Sequence, residues 1–190
     1  MTKKAETAPA KRYELVTDDT VKTWDGRALF RIRAIVAIGA TIAAGDLGGY
    51  VESENNLSQV SGNAWVHGNA QVYGNARVYG NARVSGNAWV YGNARVSGDA
   101  QVSGNARVSG DAQFGWFSHV GSEHGTLSWF IQKDRTIQVN RGCFSGSLDD
   151  FRAAVEKRHG DSPNGQEYRL LIQFIELRSA EALKTYEVTA

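Results

Sequence analysis

From Val60 onward, apolar positions return every six residues. Val60, Val66, Val72, Val78, Val84, Val90, Val96, Val102 and Val108 are evenly spaced, and Phe114 takes the next place. An alanine stands four residues after each valine, from Ala64 to Ala112, and Gly-Asn or Gly-Asp lies between. A period of six fits neither the 3.6 of an amphipathic helix nor a heptad. Valine is stiff at χ1 and favours strands, and alanine suits a crowded inner corner. Gly-Asn and Gly-Asp supply the positive-φ backbone that most residues avoid. Each hexad of residues 60–113 therefore predicts one short strand and one corner. Three hexads close an 18-residue triangular coil, and the run predicts a mainly β stack of about three coils, spaced ~4.8 Å apart.

Residues eighteen apart then lie over one another. The corner amides form ladders, Asn63–Asn81–Asp99, Asn69–Asn87–Asn105 and Asn75–Asn93–Asp111, which can hydrogen-bond along the stack. The positions beside the alanines are predicted to face out, in the columns Trp65–Arg83–Gln101, Gln71–Trp89–Arg107 and Arg77–Arg95–Gln113. Tyr73 stands over Tyr91, with His67 and Tyr79 on the other faces. Arg83 beside Trp65, and Arg107 beside Trp89, fall at cation–π distance. Exposed Trp, Tyr and Arg are enriched in interface hot spots. The candidate binding residues are therefore Trp65, Arg83, Trp89, Arg107, Tyr73, Arg77, Tyr91 and Arg95. Shielding and mutual stacking is the plainer role for the same side chains.

The flanks change period. Tyr13–Val16 and Ala28–Val36 read as strands about a Trp24–Arg27 turn, and Ala44–Ser58 reads as a lead-in shielding the first coil, since repeat stacks need caps. Gly45–Gly49 does not match a phosphate loop, because no lysine follows. After Phe114 the register fails. Leu127–Gln132 and Thr136–Asn140 predict a hairpin about Lys133-Asp134, and 141–146 a loop. Ser147 with Asp150 is a capping-box-like helix start, and that helix stops near Gly160. A second helix, from about Gln166 into the 180s, is predicted with Leu170, Phe174 and Leu177 on one face beside Leu171 and Ile175. The expected organisation is a polar, disordered N-terminus at 1–12, an N-terminal β cap at 13–59, the repeat at 60–120, and a C-terminal hairpin plus two helices at 121–190.

Charge is nearly balanced, 21 basic against 20 acidic residues. Arg77, Arg83, Arg95 and Arg107 outweigh Asp99 and Asp111 in the repeat, a field too weak for general DNA binding but suited to a subunit interface, an acidic partner or a phosphate-bearing ligand. The longest apolar stretch, Ala34–Gly45, is short of the ~20 residues a membrane span needs. The single cysteine, Cys143, fits a reducing compartment. The expectation is a cytoplasmic protein without a membrane segment.

The V-x-G-[ND]-A-x run resembles the hexapeptide-repeat left-handed β-helix family; the left hand and a homotrimer are what that resemblance implies. The order of segments resembles bacteriophage and prophage hexapeptide-repeat or polymer-forming proteins. This second likeness is carried by Gly45-Asp-Leu-Gly-Gly-Tyr-Val-Glu-Ser-Glu54, by the repeat, and by Arg141-Gly-Cys-Phe-Ser-Gly-Ser-Leu-Asp-Asp-Phe151 with His159-Gly-Asp161. It implies a viral origin, action in the host bacterial cytoplasm and interference with a host defence system, and it carries over no catalytic residue.

Two enzymatic readings come from the wider family. Trimeric acyltransferases use a histidine base at subunit interfaces, for which His67 is the candidate; the uninterrupted repeats lack the long loop those enzymes usually fold over the acyl carrier. A γ-class carbonic anhydrase binds zinc through three histidines, here His67, His119 and His124, but the last two lie beyond the regular coils. The favoured expectation is a non-enzymatic protein with no cofactor and no metal, which assembles through its β-helix and binds a host protein or a small anionic ligand.

Overall fold

The computed structural model describes residues 11–60, 62–110 and 113–185. Most of the polar tail, the repeat's Ala112 and the ladder position Asp111 lie outside them. β1 (Tyr13–Lys22) and β2 (Ala28–Ala34) pair antiparallel through the expected turn, where Gly26 takes φ 84°. β2 pairs antiparallel with β3 (Leu47–Val51). β3 then runs parallel to the repeat, with Tyr50 beside Gln71 and Val51 beside Val72, and an isolated parallel Leu57–Val78 bridge repeats that offset on another face. The lead-in is thus itself a coil, with partners twenty-one residues apart where the repeat has eighteen. The three extra residues have a consequence. Leu57, 1 % exposed, takes the inner place under Val78, and Val60 is left 68 % exposed. Close packing explains the glycine pair of β3: a Cβ on Gly48 or Gly49 would come within 2.5 or 2.6 Å of the Val66 or Ala70 carbonyl oxygen.

Inside the repeat a two-residue strand starts at every sixth residue. These are β4 (Trp65–Val66), β5 (Gln71–Val72), β6 (Arg77–Val78), β7 (Arg83–Val84), β8 (Trp89–Val90), β9 (Arg95–Val96), β10 (Gln101–Val102) and β11 (Arg107–Val108). All pair parallel at the predicted spacing, Trp65 with Arg83 and Arg77 with Arg95 among them. The inward valines and alanines from Ala64 to Val108 are almost completely buried. Corner glycines from Gly62 to Gly104 hold the positive φ that the pattern required; Gly80, at φ 70°, would also press a Cβ to 2.9 Å from the Gly98 nitrogen. The amide ladders form: Asn81 Nδ2 donates to Asp99 Oδ1 at 3.0 Å and Asn75 Nδ2 to Asn93 Oδ1 at 3.2 Å.

Three faces result. The first joins β5, β8 and β11 to β3, β2 and β1 in a six-stranded sheet; the second is β4, β7 and β10; the third is β6 and β9 alone.

The C-terminal part is richer than a hairpin. β12 (Phe114–Val120), β13 (Gly125–Ile131), β14 (Ile137–Arg141) and β15 (Phe144–Ser147) form a four-stranded antiparallel sheet. The segment expected as a loop at 141–146 is instead a tight turn into β15, because Gly142 adopts φ 59° and Phe144 packs its ring on Phe151, centroids 5.2 Å apart. Helix α1 (Leu148–His159) begins at the predicted Ser147 cap and ends at Gly160, and α2 spans Pro163–Thr185. The sheet closes the top of the stack. Gln101 N donates to Ser128 Oγ at 3.1 Å, Asn140 Nδ2 to Ser103 Oγ at 3.2 Å, and Lys133 N to Asn105 O at 3.3 Å. Phe114 and Phe130 enter the solenoid core, whereas Leu127, Trp129 and Val139 join a second core with the helices. Successive side chains of β13 thus serve opposite faces.

α2 buries only part of the predicted apolar surface, the side with Leu171 and Ile175. Tyr168, Ile172, Ile175 and Ala182 are inside, with Leu171 packed against them, while Leu170, Phe174 and Leu177 are 66 %, 47 % and 78 % exposed. The helix carries two apolar stripes, and the sheet can cover one.

Candidate recognition face

The predicted columns exist, and the structure divides them by how each face is covered. On the second face Trp65 stacks beside Arg83 in register, yet it is 1 % exposed. Its expected outward role is corrected. Segment 38–42 lies against this face: Ile38 and Ile42 share Trp65's core, and Arg83 Nη2 donates to Thr41 Oγ1 at 3.1 Å. Trp65 meets the rings of Tyr13 and His67 edge-on, each at 6.4 Å, and no cation–π contact forms with Arg83.

On the first face Tyr73 stacks on Tyr91 at 5.2 Å and 10°. Tyr73 is also buried, against Leu29 and Tyr50 with Val21 and Trp89 alongside. Burial first, and then the neighbouring Tyr91, push its hydroxyl up to about 12. Arg107 lies over Trp89 at 3.9 Å, as the spacing predicted, and also donates to the Asn87 carbonyl at 3.0 Å. Trp89, Tyr91 and Arg107 are half-buried. Each of these contacts is internal to the fold.

The third face differs. Arg77, Tyr79 and Arg95 are all exposed, whereas among the outward residues of the two-residue repeat strands on the other two faces only Gln101 is. Arg77 and Arg95 stand in register on β6 and β9. Three depressions meet there. One of about 430 Å³ lies between Ser53–Asn56 and the Asn75–Asn93 corner and includes both arginines. A second of about 510 Å³ runs from Glu54 and Val60 past Tyr79. A third of about 430 Å³ leads from Tyr79 and Arg95 to Trp116, Phe117, Phe174 and Arg178. The last four residues escaped sequence reasoning, because they come from β12 and α2, outside the periodic run. The apolar stripe of α2 was a signal for Phe174 alone.

The histidines are dispersed. His67 borders Trp65 on the second face, while His119 and His124, both at positive φ, face each other at 6.4 Å beside the β12–β13 turn. Among the described residues no three His, Cys, Asp or Glu side chains form a metal-holding group. Burial, and then Arg83, hold the His67 imidazole below its ordinary value. The unfolded chain therefore binds more protons at this position, so this contribution to stability falls as pH drops below about 6.5. Denaturant titrations should show a shallower acid loss for His67→Gln than for the wild-type protein; equal slopes would assign the loss to other groups.

Parallel two-residue strands recurring every six residues around a valine–alanine core make this chain a β-solenoid repeat protein. The family comparison agrees: residues 58–74, 70–86, 76–91, 88–100 and 100–115 match the YdcK beta solenoid repeat. No curated protein matches the chain. Among the described residues no helix is long and apolar enough to cross a membrane.

Proposed function

We propose that this chain is a non-enzymatic recognition scaffold whose third solenoid face binds an anionic partner, a host protein or a phosphate-bearing ligand. One observation carries the reading: the third face presents Arg77 and Arg95 in register on neighbouring strands, both exposed to solvent. Guanidinium groups suit carboxylate and phosphate acceptors, and a stack of cross-linked coils keeps them at fixed separation. The same reading keeps the homotrimer that the sequence resemblance implies.

Arg77→Ala/Arg95→Ala tests the proposal. Both side chains are exposed, so each substitution should change stability by no more than about 0.5 kcal/mol. Binding of the anionic partner should weaken by about tenfold or more, or roughly 1.4 kcal/mol. The check is quantitative capture from bacterial lysate by immobilised wild-type and variant protein, with retained proteins and small molecules identified by mass spectrometry. Equal retention of the same molecules would place recognition elsewhere.

A further inference from the structure

We infer that the groove between Tyr79 and α2 docks an acidic amphipathic helix of a protein partner, an inference that rests on the third-face reading and names its partner class. The starting observation is the second apolar stripe of α2. Leu170, Phe174 and Leu177 follow i, i+4, i+7 spacing and are 66 %, 47 % and 78 % exposed. Single exposed leucines are ordinary, but a contiguous large apolar patch on a water-soluble surface marks an interaction site. Phe174 is held by an edge-on contact with Phe117, centroids 5.4 Å apart, and becomes one wall of a groove of about 430 Å³ that also contains Trp116 and Tyr79. Tyr79 belongs as well to the depression leading to Val60, itself 68 % exposed. The apolar track therefore continues from α2 onto the solenoid face.

Charge selects the occupant. Arg95 and Arg178 line the groove, Arg77 lies one coil away, and none of the groove's described lining residues is acidic. A second copy seated face to face would present the same patch on both subunits and set these arginines against one another. An acidic segment brings the opposite sign. Backbone pairing argues for a helix over an added strand. The strands of this face already donate along the stack, Arg77 N to Ala94 O at 2.9 Å and Tyr79 N to Val96 O at 3.0 Å. Between β6 and β9 the face thus offers side chains, which is the setting for a helix laid in a groove through apolar anchors at helical spacing.

The experiment selects binders to the full chain from a displayed library of random linear peptides long enough for about four helical turns. Affinities of the enriched peptides are then measured by fluorescence anisotropy. The expected winners are net acidic, with Leu, Phe or Trp at helical spacing. Leu170→Gln/Leu177→Gln should weaken them by about tenfold or more while leaving the melting temperature unchanged, because both leucines are exposed. Arg77→Ala/Arg95→Ala should weaken them too. If the arginine pair matters and the leucine pair does not, the groove inference falls and the third-face reading stands. If neither pair matters, both fall. Enriched peptides that are basic or lack apolar spacing would also overturn the groove. So would leucine-dependent binding to phosphatidylserine vesicles without peptide binding, or a leucine-dependent dimer in sedimentation velocity.

Discussion

Trp65→Ala is expected to destabilise the protein by about 3–5 kcal/mol, the range for emptying a buried aromatic site. The reason lies in where the solenoid begins. β4 is the lowest strand of the second face, so no further strand pairs with it from below. Tyr13, Ile32, Ile38 and Ile42 gather there instead, and the indole shares one core with them and with Val66 and Val84. Tyr13 is itself anchored by its hydroxyl, which donates to the Leu57 carbonyl at 2.7 Å. Removing the indole therefore opens a cavity at the junction of hairpin, lead-in coil and repeat, where three segments distant in sequence meet. Equilibrium urea unfolding measures the loss, with Arg77→Ala as the surface control. A change below about 1 kcal/mol, typical of exposed positions, would mean that Trp65 is solvent-facing after all.

That prediction marks the boundary of what the pattern could reveal. Periodicity reports which positions are equivalent, so the register was legible: Trp65 beside Arg83, Trp89 beside Arg107 and Tyr73 over Tyr91 all stand where an eighteen-residue coil puts them. Exposure is not a property of the repeat. Whether an outward side chain meets water depends on what docks over it, and segment 38–42 and the β1–β2 hairpin reach Trp65 and Tyr73 through contacts far apart in the chain. Two of the eight candidate residues, Trp65 and Tyr73, are consequently core residues. Arg77 and Arg95 stay exposed because the lead-in on their face contributes only Glu54–Asn56 and Leu57, a short turn that underlies β6 without folding over it. Only part of the helix's expected apolar surface is covered, for a related reason. Both stripes of α2 satisfy helical spacing, and only the sheet beneath decides which is covered. The capping box at Ser147 was legible because its partners lie three residues apart: Ser147 Oγ accepts from Asp150 N at 3.1 Å.

The second large effect is expected at the opposite end of the stack. Phe130→Ala should cost about 3–5 kcal/mol and, more tellingly, should uncouple the two cores. Phe130 is fully buried and belongs with Phe114 to the solenoid core, whereas its neighbour Trp129 belongs to the core built with α1 and α2. The remaining ties across the junction are Phe114, which stays in the solenoid core, and hydrogen bonds such as Gln101 N to Ser128 Oγ and Asn140 Nδ2 to Ser103 Oγ. Individually such bonds contribute only about 0.5–1.5 kcal/mol. In a repeat stack each coil is supported mainly by its neighbours, so the last coil depends on this plug for its upper contact. Hydrogen exchange should show amides of β10 and β11 losing protection in Phe130→Ala, while those of β7 and β8, one coil down, keep theirs. Calorimetry should resolve two transitions where the wild-type protein has one. A single transition with uniform loss of protection would show that the sheet and the solenoid unfold as one unit even without the ring that joins them.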